Sequence, residues 1–318
     1  MESENTKSLV SIGIPVVKAT YLRAAIESCL DQTYKTIEIV ILNNAATTKL
    51  GDEIEAIVST FDDIRLKYFR NNKQLPMIEN WNKVLSYANG NLFSLLCDDD
   101  KWDSDFIFKM VVLSEKYPRA NVFHSRVLII KEGELNEKSK LSPLCNEYED
   151  TLDFICHRIK GYRWQYLSDF TVRLSAIKKI GGFVDLPDGW GSDDITWFKV
   201  SATGDGVAYD ATPLFIYRDH DGSTTNSQAL SNKLNSLKTY VAHVFDILFN
   251  IEISNDLDEI KKRAIIEELK IYEKVKTSGL IHKSLLDNSF VPNLFIPYIM
   301  VFYKTYTNLK FMTKKKHK

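Results

Sequence analysis

Short apolar runs alternate with segments of helical periodicity through the first 120 residues of this 318-residue chain. The apolar runs are rich in Ile, Val, Leu and aromatic residues, which favours β-strands. They are LVSIGI (9–14), IEIVIL (37–42), RLKYF (65–69) and LFSLLC (92–97). Between them apolar residues recur every three or four positions, which indicates amphipathic helices. This alternation is typical of a parallel sheet with helices on its faces, so the sequence predicts an α/β fold.

Polar segments follow three of the predicted strands. They are IPVVKAT (14–20), LNNAATT (42–48) and the acidic triplet Asp98–Asp100. In open parallel sheets ligands bind beyond the carboxyl ends of the strands, so we expect the three segments to share one site. Three adjacent carboxylates repel one another unless a cation or strong donors lie among them.

Overall composition excludes several classes of protein. The net charge of −1 provides no basic field for nucleic acid. The amino terminus lacks the layout of a secretory signal, and no apolar stretch reaches the roughly 20 residues of a spanning helix. The cysteines, Cys29, Cys97, Cys145 and Cys156, form no CxxC pair, which favours free thiols over a zinc site. We therefore expect a cytoplasmic protein.

The chain divides into two regions by pattern. Residues 1–227 contain the strand and helix alternation, whereas 228–318 read as a helical extension. Within the extension, residues 230–252 and 256–277 have the periodicity of two long amphipathic helices.

The carboxyl-terminal tail combines an apolar helical face with positive charge. Ile299, Phe302, Tyr306 and Leu309 share that face, and lysines follow at Lys314–Lys316. This combination suits peripheral association with the inner face of a membrane, where an acceptor carried on a lipid would be found. The alternative is a helix packed on the domain with a basic end.

Several segments, taken in order, resemble the family 2 glycosyltransferases. They are VSIGIPVVKATYLRAAIESCLDQTYKTIEIVILNNAATT, RNNKQLPMIENWNKVLSYANGNLFSLLCDDDKW, GGFVDLPDGWGSDDITWF and PLFIYRDHDGSTTNS. The resemblance covers roughly residues 8–227. It implies the Rossmann-like GT-A fold, which binds nucleotide-diphospho-sugars, and inverting, hexosyltransferase-type transfer from a UDP- or dTDP-sugar. It also implies Mn²⁺ or Mg²⁺ as cofactor and a glycan or lipid-linked oligosaccharide acceptor, as in polysaccharide assembly at the cell envelope.

The resemblance assigns the nucleotide base to the first two strand ends. Pro15 and the residues after it would flank the base, with Val17 where the family often has an aromatic residue. Asn43 and Asn44 stand where the family has one or two aspartates. An amide oxygen can accept from a pyrimidine N–H, which keeps uracil and thymine open.

The acidic triplet corresponds to the metal motif of the family. Cys97 takes the place of its usual first aspartate, which leaves Asp98 and Asp99. We expect Asp98 near the ribose, Asp99 as metal ligand, and Asp100 beside the metal or on the acceptor side. A hard divalent cation held by few carboxylates keeps positions for phosphate oxygens. The alternative is a solvated helix entry, with residues 103–105 capping a helix that begins near Phe106.

A second acidic pair, Asp193 and Asp194, corresponds to the general base of the family. Alignment on Trp197 favours Asp193, with Ser192 in place of the usual glutamate, and leaves a one-residue ambiguity. An inverting base must face the anomeric carbon from the side opposite the diphosphate. The alternative is a helix N-cap formed by Ser192 or Asp193.

Other polar residues match family positions near the donor. His220 matches a histidine that often closes over the metal and diphosphate, with a hydrogen-bonded surface residue as the alternative. Arg218 would pair with phosphate. Arg70 and Asn82 stand where the family places polar contacts to the donor.

An aromatic platform for a sugar acceptor is a further candidate, with membership in the core as its alternative. Its members would be Trp164, Tyr166 and Trp190. A second hypothesis for the whole chain is a non-catalytic relative that binds a nucleotide-sugar or scaffolds an assembly complex. The departures from the common family pattern that favour this hypothesis are Cys97, Val17 and Ser192.

Overall fold

The computed structural model describes residues 8–131, 139–220, 230–253 and 255–287. The strands are β1 (Val10–Val16), β2 (Ile37–Asn43), β3 (Leu66–Arg70), β4 (Leu92–Leu95), β5 (Lys101–Trp102), β6 (Val122–Lys131), β7 (Lys140–Leu141), β8 (Tyr148–Glu149), β9 (Phe170–Arg173) and β10 (Val207–Asp219). The helices are α1 (Leu22–Leu30), α2 (Thr48–Val58), α3 (Met77–Ser86), α4 (Phe106–Lys116), α5 (Thr151–Ile159), α6 (Leu174–Lys179), α7 (Ser192–Ser201), α8 (Leu230–Asn250) and α9 (Asp256–Asp287). Short 3₁₀ turns occupy Leu167–Asp169 and Pro187–Gly189.

The described strands form one sheet, in the order β3-β2-β1-β4-β9-β6-β10-β5, with β7 beside β6 and β8 beside β10. Strands β3, β2, β1 and β4 are parallel, and so are β6 and β10. Strand β9 is antiparallel to both β4 and β6. Because β9 runs opposite to its neighbours on both sides, β6 runs in the same direction as β4. Strand β10, which is parallel to β6, therefore points the same way as β1 and β4. Their carboxyl ends therefore meet at one edge of the sheet, and the predicted α/β fold is confirmed.

The first two strands show why this region forms a sheet. Every residue of β1 and of β2 is buried, as expected for central parallel strands with helices on both faces. Their register places Pro15 opposite Leu42 and Val16 opposite Asn43. Both strands thus end side by side, where the polar segments begin.

Two apolar layers cover the two faces of the sheet. Helices α1, α2 and α4 pack on one face, around the side chains of β1 that include Ile12 and Ile14. Helices α3 and α5–α9 pack on the other face, around Phe93, Phe170 and Trp197.

The helices after residue 229 belong to this second layer. Leu237 and Tyr240 of α8 and Ile265 and Leu269 of α9 are buried in it. Helix α9 continues to Asp287, beyond the end at residue 277 that the sequence predicts. Among the described helices, none combines the length and apolar content needed to cross a membrane. The boundary predicted between residues 227 and 228 and the basic tail both lie outside the described residues.

Candidate active site

Asp98 fastens the loop after β1 to the end of β4. Its Oδ2 accepts hydrogen bonds from the backbone N–H groups of Val17 and Lys18, both at 2.7 Å. The Asn44 N–H donates to the Val16 carbonyl at 2.8 Å. The polar segments that follow β1, β2 and β4 therefore lie together at one edge.

Asp99 contacts a histidine that is 121 positions away in the sequence. His220 Nε2 lies 3.0 Å from Asp99 Oδ2, and Lys18 Nζ lies 3.8 Å from the same oxygen. The side chain of His220 is 8% exposed and that of Asp99 is 20% exposed, so the carboxylate remains open to a ligand. The contact forms because His220 follows β10, which ends at the same edge as β4.

Arg218 holds the other side of the triplet. Its backbone N–H donates to Asp100 Oδ1 at 3.0 Å, and its Nε donates to the Asp99 carbonyl at 3.1 Å. The guanidinium also lies 4.2 Å from the centre of the Tyr21 ring, a cation–π contact. The shape of the acidic turn is thus determined by β10 on one side and by the loop after β1 on the other.

The triplet and its cysteine form a compact set of ligand atoms. Cys97 Sγ and carboxylate oxygens of Asp99 and Asp100 lie within 4.8 Å of one another. Burial and the charge of Asp99 raise the pKa of Asp98 to about 6 and the pKa of Asp100 well above its ordinary range. Burial, with the neighbouring carboxylates, also raises the pKa of the Cys97 thiol. Buried oxygen ligands that repel one another fit a hard divalent cation.

The alternative of a helix entry does not describe the triplet. Strand β5 separates it from α4, which begins at Phe106. Asp105 is the N-cap of α4 and makes no side-chain capping bond, while Asp103 Oδ1 accepts from the Asp105 N–H at 3.0 Å and the Asp103 carbonyl accepts from the Phe106 N–H at 3.1 Å. Asp98 and Asp100 are instead buried, and they are bonded to the loop after β1 and to β10, respectively.

The structure distinguishes the two members of the second acidic pair. Arg158 Nε lies 3.0 and 2.9 Å from the two carboxylate oxygens of Asp194, which is 3% exposed. Asp193 is half-buried and has no ion-pair partner among the described residues. Burial, together with the charge of Asp194, raises the pKa of Asp193 to about 7. A carboxylate with a pKa near neutrality is suited to general base catalysis.

The N-cap of α7 is neither of the residues expected in the capping alternative. Gly191 occupies that position, with φ of 81°, and contributes no side chain. Ser192 Oγ instead accepts from the Leu186 N–H at 3.1 Å. Asp193 is the second residue of the helix, so its carboxylate lies in the first turn rather than at the N-cap position.

The segment 166–170 lies between the triplet and α7, and the hydroxyl of Tyr166 is influenced by charges on both sides. Burial is the main cause that raises the pKa of its hydroxyl to about 12, and the charges of Asp169 and Asp100 raise it further. The positive charge of Arg158 acts on the same hydroxyl in the opposite direction. Ser168 Oγ accepts from the Cys97 N–H at 3.0 Å, and the ring of Trp197 on α7 stacks on that of Phe170 at 5.1 Å, so the triplet with its cysteine and α7 both pack against the segment 166–170.

Both asparagines at the end of β2 are bonded within the protein. Asn43 Nδ2 donates to the Gly51 carbonyl at 2.8 Å, and its Oδ1 accepts from the Ala45 N–H at 3.1 Å. Asn44 Oδ1 accepts from the Leu75 N–H at 2.8 Å. The amide oxygens expected to accept from a nucleotide base therefore hold the neighbouring loops in this structure.

Arg70 and Asn82 also make contacts within the fold. Arg70 Nη1 lies 2.7 Å from Asp52 Oδ1 and 3.0 Å from Glu55 Oε2, on the exposed side of α2. The Asn82 side chain bonds both the N–H and the carbonyl of Phe183, at 2.7 and 3.0 Å. Neither side chain contacts the acidic triplet in the described part of the chain.

The predicted aromatic residues do not stack on one another, and an open cleft lies near one of them. Trp164 is 39% exposed, Trp190 is half-buried, and the ring of Tyr166 lies 4.4 Å from that of Tyr217.

The open cleft, of about 680 Å³, is lined by residues 76–78 and 185–189. The second of these segments leads directly to α7 and Asp193.

Comparison with known proteins identifies the family. The model of glycosyl transferase family 2 matches residues 11–174, just over half of the chain. The chain belongs to glycosyltransferase family 2. An uncharacterised glycosyltransferase of Rickettsia typhi is 29% identical over 255 residues, covering 75% of this chain and 71% of that protein. The GalNAc(5)-diNAcBac-PP-undecaprenol β-1,3-glucosyltransferase of Campylobacter jejuni is 30% identical over 162 residues, 48% of this chain and 49% of that enzyme.

Solved structures agree with the GT-A fold of this glycosyltransferase. S. aureus TarS 1–349, crystallised with UDP-GlcNAc, superposes with a TM-score of 0.65 at 13% identity, covering 85% of this chain and 79% of that one. The mannosyltransferase PcManGT of Pyrobaculum calidifontis, with GDP-Man and Mn²⁺, gives a TM-score of 0.58 at 12% identity, with coverages of 96% and 81%. At these identities the likeness shows the fold alone.

Three residues of this glycosyltransferase site were missed by sequence reasoning. Arg158 has no local signal, because its partner Asp194 lies 36 positions away. Tyr21, which stacks under Arg218, is likewise visible only in the structure. Lys18 lies in the segment 14–20 after β1, which the sequence predicts to be at the site, so its position beside Asp99 follows from the strand-end rule.

Proposed function

We propose that this glycosyltransferase transfers a hexosyl group, with inversion, from a nucleoside-diphosphate sugar to a hydroxyl group of a glycan or lipid-linked oligosaccharide. One observation carries the proposal: buried carboxylates with His220 and Lys18 lie at the strand ends, and Asp193, with a pKa of about 7, lies at the start of α7, which packs against the segment 166–170 that also contacts Cys97 beside the triplet. The first group suits a diphosphate with its metal, and the second suits an acceptor hydroxyl.

Asp99 and Asp100 are the residues proposed to hold Mn²⁺ or Mg²⁺, with His220 beside them. Their oxygen atoms suit either ion, and Cys97 Sγ lies within the same set. When bound, a divalent cation neutralises the charge of the diphosphate leaving group. The structure of PcManGT, a structural neighbour, is a complex with GDP-Man and Mn²⁺.

The protein's own residues would orient the donor. Asp98 holds the backbone of residues 17–18 in place, and Arg218 holds the acidic turn. Lys18, half-exposed beside Asp99, presents an ammonium group to a phosphate. UDP and dTDP remain the proposed donor nucleotides. The structure of TarS is a complex with UDP-GlcNAc, while that of PcManGT is a complex with GDP-Man.

Asp193 is proposed to accept the proton of the acceptor hydroxyl. The acceptor oxygen forms a bond to the anomeric carbon while the bond from that carbon to the diphosphate oxygen breaks. The electron pair leaves with the diphosphate, and the proton passes to the Asp193 carboxylate. Attack on the face opposite the leaving group inverts the anomeric configuration.

The acceptor is proposed to enter through the cleft lined by residues 76–78 and 185–189. A volume of about 680 Å³ accommodates more than one sugar ring. The Campylobacter relative is named for an undecaprenol-linked acceptor, and a relative of Bacillus subtilis, 27% identical over 149 residues, is named for teichuronic acid biosynthesis. A lipid-linked or cell-envelope acceptor is therefore the first to test.

Turnover of defined donors tests this proposal. The protein is incubated with UDP-, dTDP- and GDP-sugars, Mn²⁺ and a panel of acceptor glycosides, and nucleoside diphosphate release and product configuration are measured by NMR. We expect one donor to be consumed with inversion, and no consumption in chelator. Failure of every donor with folded protein favours the non-catalytic hypothesis, and a retained configuration contradicts the assigned role of Asp193.

A further inference from the structure

We infer that helix α8, which lies beyond the matched family region, is part of the active site: Asn232, Ser236 and Tyr240 hold the turn 187–191 and thereby position Asp193. This inference rests on the proposed role of Asp193 as the base. The three side chains are spaced by four residues, so they form one stripe along the helix.

The turn has a backbone conformation that needs support. Asp188 has φ of 52°, and among the described residues it is the one non-glycine with positive φ. Gly189 and Gly191 follow with φ of 69° and 81°. A non-glycine residue in the left-handed region is strained, and it persists where neighbouring structure holds it.

Each residue of the α8 stripe contacts a different point of the turn. Asn232 Nδ2 donates to Asp188 Oδ2 at 2.6 Å. Ser236 Oγ, which is fully buried, donates to the Trp190 carbonyl at 2.7 Å. The Tyr240 ring packs on the turn's last glycine, where an added Cβ would lie 2.9 Å from Cδ2.

The end of the turn determines the start of α7. Gly191 is the N-cap of that helix, and Asp193 lies in its first turn. A displacement of the turn therefore moves the carboxylate directly. A misplacement of about 1 Å at a reacting group can reduce turnover about 100-fold, whereas donor binding at the triplet does not use the turn.

Kinetics of variants in α8 test the inference. We expect Asn232→Ala and Ser236→Ala each to lower kcat about tenfold with the donor KM changed less than twofold. Thr239→Ala is the matched control, because the Thr239 hydroxyl donates to the Asn235 carbonyl of its own helix and, within the part of the chain that the structure describes, bonds no residue of the turn. It should leave kcat unchanged.

A double-mutant cycle separates positioning from general destabilisation. Asp188→Gly removes the strain at that position, so Asn232→Ala should lower kcat less than twofold in the Asp188→Gly background. Equal losses in both backgrounds, weaker nucleotide binding, or kcat within twofold of wild type for both α8 variants would overturn the inference. Asp193→Asn is measured in parallel: if it retains turnover, the proposed base is wrong, which is a distinct failure.

Discussion

Arg158 and Asp194 form an ion pair in which the aspartate is buried and the arginine is 26% exposed, with Nε of the arginine 3.0 and 2.9 Å from the two carboxylate oxygens. The pair joins α5 to α7 and occupies the carboxylate next to Asp193. Asp194 is therefore neutralised inside the protein, whereas Asp193 is half-buried in the first turn of α7. The distinction could not be made by sequence alignment, because the two residues are adjacent.

We predict that Arg158→Leu destabilises the fold strongly. It leaves the Asp194 carboxylate buried without a partner, which costs about 3–5 kcal/mol in the free energy of unfolding. Chemical denaturation measures this. Arg263→Leu, which breaks an exposed pair with Glu259 on α9, is the control and should change stability little. Equal effects of the two substitutions would contradict a structural role for the pair of Arg158 and Asp194.

Asp193→Asn should abolish turnover without weakening the fold. A positioned general base contributes about 100-fold or more to rate, so kcat should fall by at least that factor while nucleotide binding persists. Steady-state kinetics and calorimetry measure the two quantities. Asp194→Asn provides the contrast, because it should lower the thermal midpoint. Retained turnover in Asp193→Asn would contradict the assignment of the base.

Activity should depend on pH through the same carboxylate. The pKa of Asp193 is raised to about 7, and the base acts in its ionised form, so kcat/KM should rise with pH and level off above about 7. The profile is measured with donor and metal saturating at each pH. A profile that is flat from pH 5 to 8 would show that no group of this kind controls the reaction.

Stability should respond to Asp193 in the opposite sense. Its pKa is above the ordinary value of 3.8, so the folded state binds a proton more tightly, and stability declines as pH rises through about 7. Asp193→Asn removes this dependence. The thermal midpoint of the variant should exceed that of wild type at pH 8 and match it near pH 4. If the difference between the two thermal midpoints were the same at pH 4 and pH 8, this would contradict the raised pKa of Asp193.

His220 should contribute to metal-dependent nucleotide binding. It contacts Asp99 at 3.0 Å, and removing a group that orients a metal ligand typically weakens binding about 10–100-fold. Calorimetric titration of His220→Ala with nucleoside diphosphate and Mn²⁺ measures the loss. His243→Ala is the control, because His243 lies on α8 but is not one of the residues proposed to contact the turn 187–191 or the acidic triplet. Equal affinity of both variants would assign His220 to the surface alternative.

The fold was largely predictable because its signals are local. Runs of buried aliphatic residues predict β1 and β2, and parallel topology brings their ends together with the end of β4. The meeting of Asp98 with residues 17–18 follows from that rule. The contact of His220 with Asp99 required the resemblance to the family, because it depends on the direction of β10 across the sheet.

The remaining features depend on tertiary packing. No local pattern relates Asn232 to Asp188, since a helix stripe reads the same whether it covers apolar core or a strained turn. The amide oxygen of Asn44 likewise matched a family position, yet in the structure it accepts from Leu75. Residue type and position in the sequence predicted which side chains lie near the site. They did not predict which atoms of those side chains remain open to a ligand.

Metal-dependent nucleotide binding is the most direct test of the central claim, that the acidic triplet holds a divalent cation and a diphosphate. UDP, dTDP, GDP and CDP are titrated calorimetrically into wild type, Asp99→Asn and Asp193→Asn, with Mn²⁺ and with chelator. We predict that one nucleotide binds with Mn²⁺ only, that Asp99→Asn loses this binding and that Asp193→Asn retains it. Binding of equal strength in chelator, or no binding of any nucleotide by folded wild-type protein, would contradict the claim.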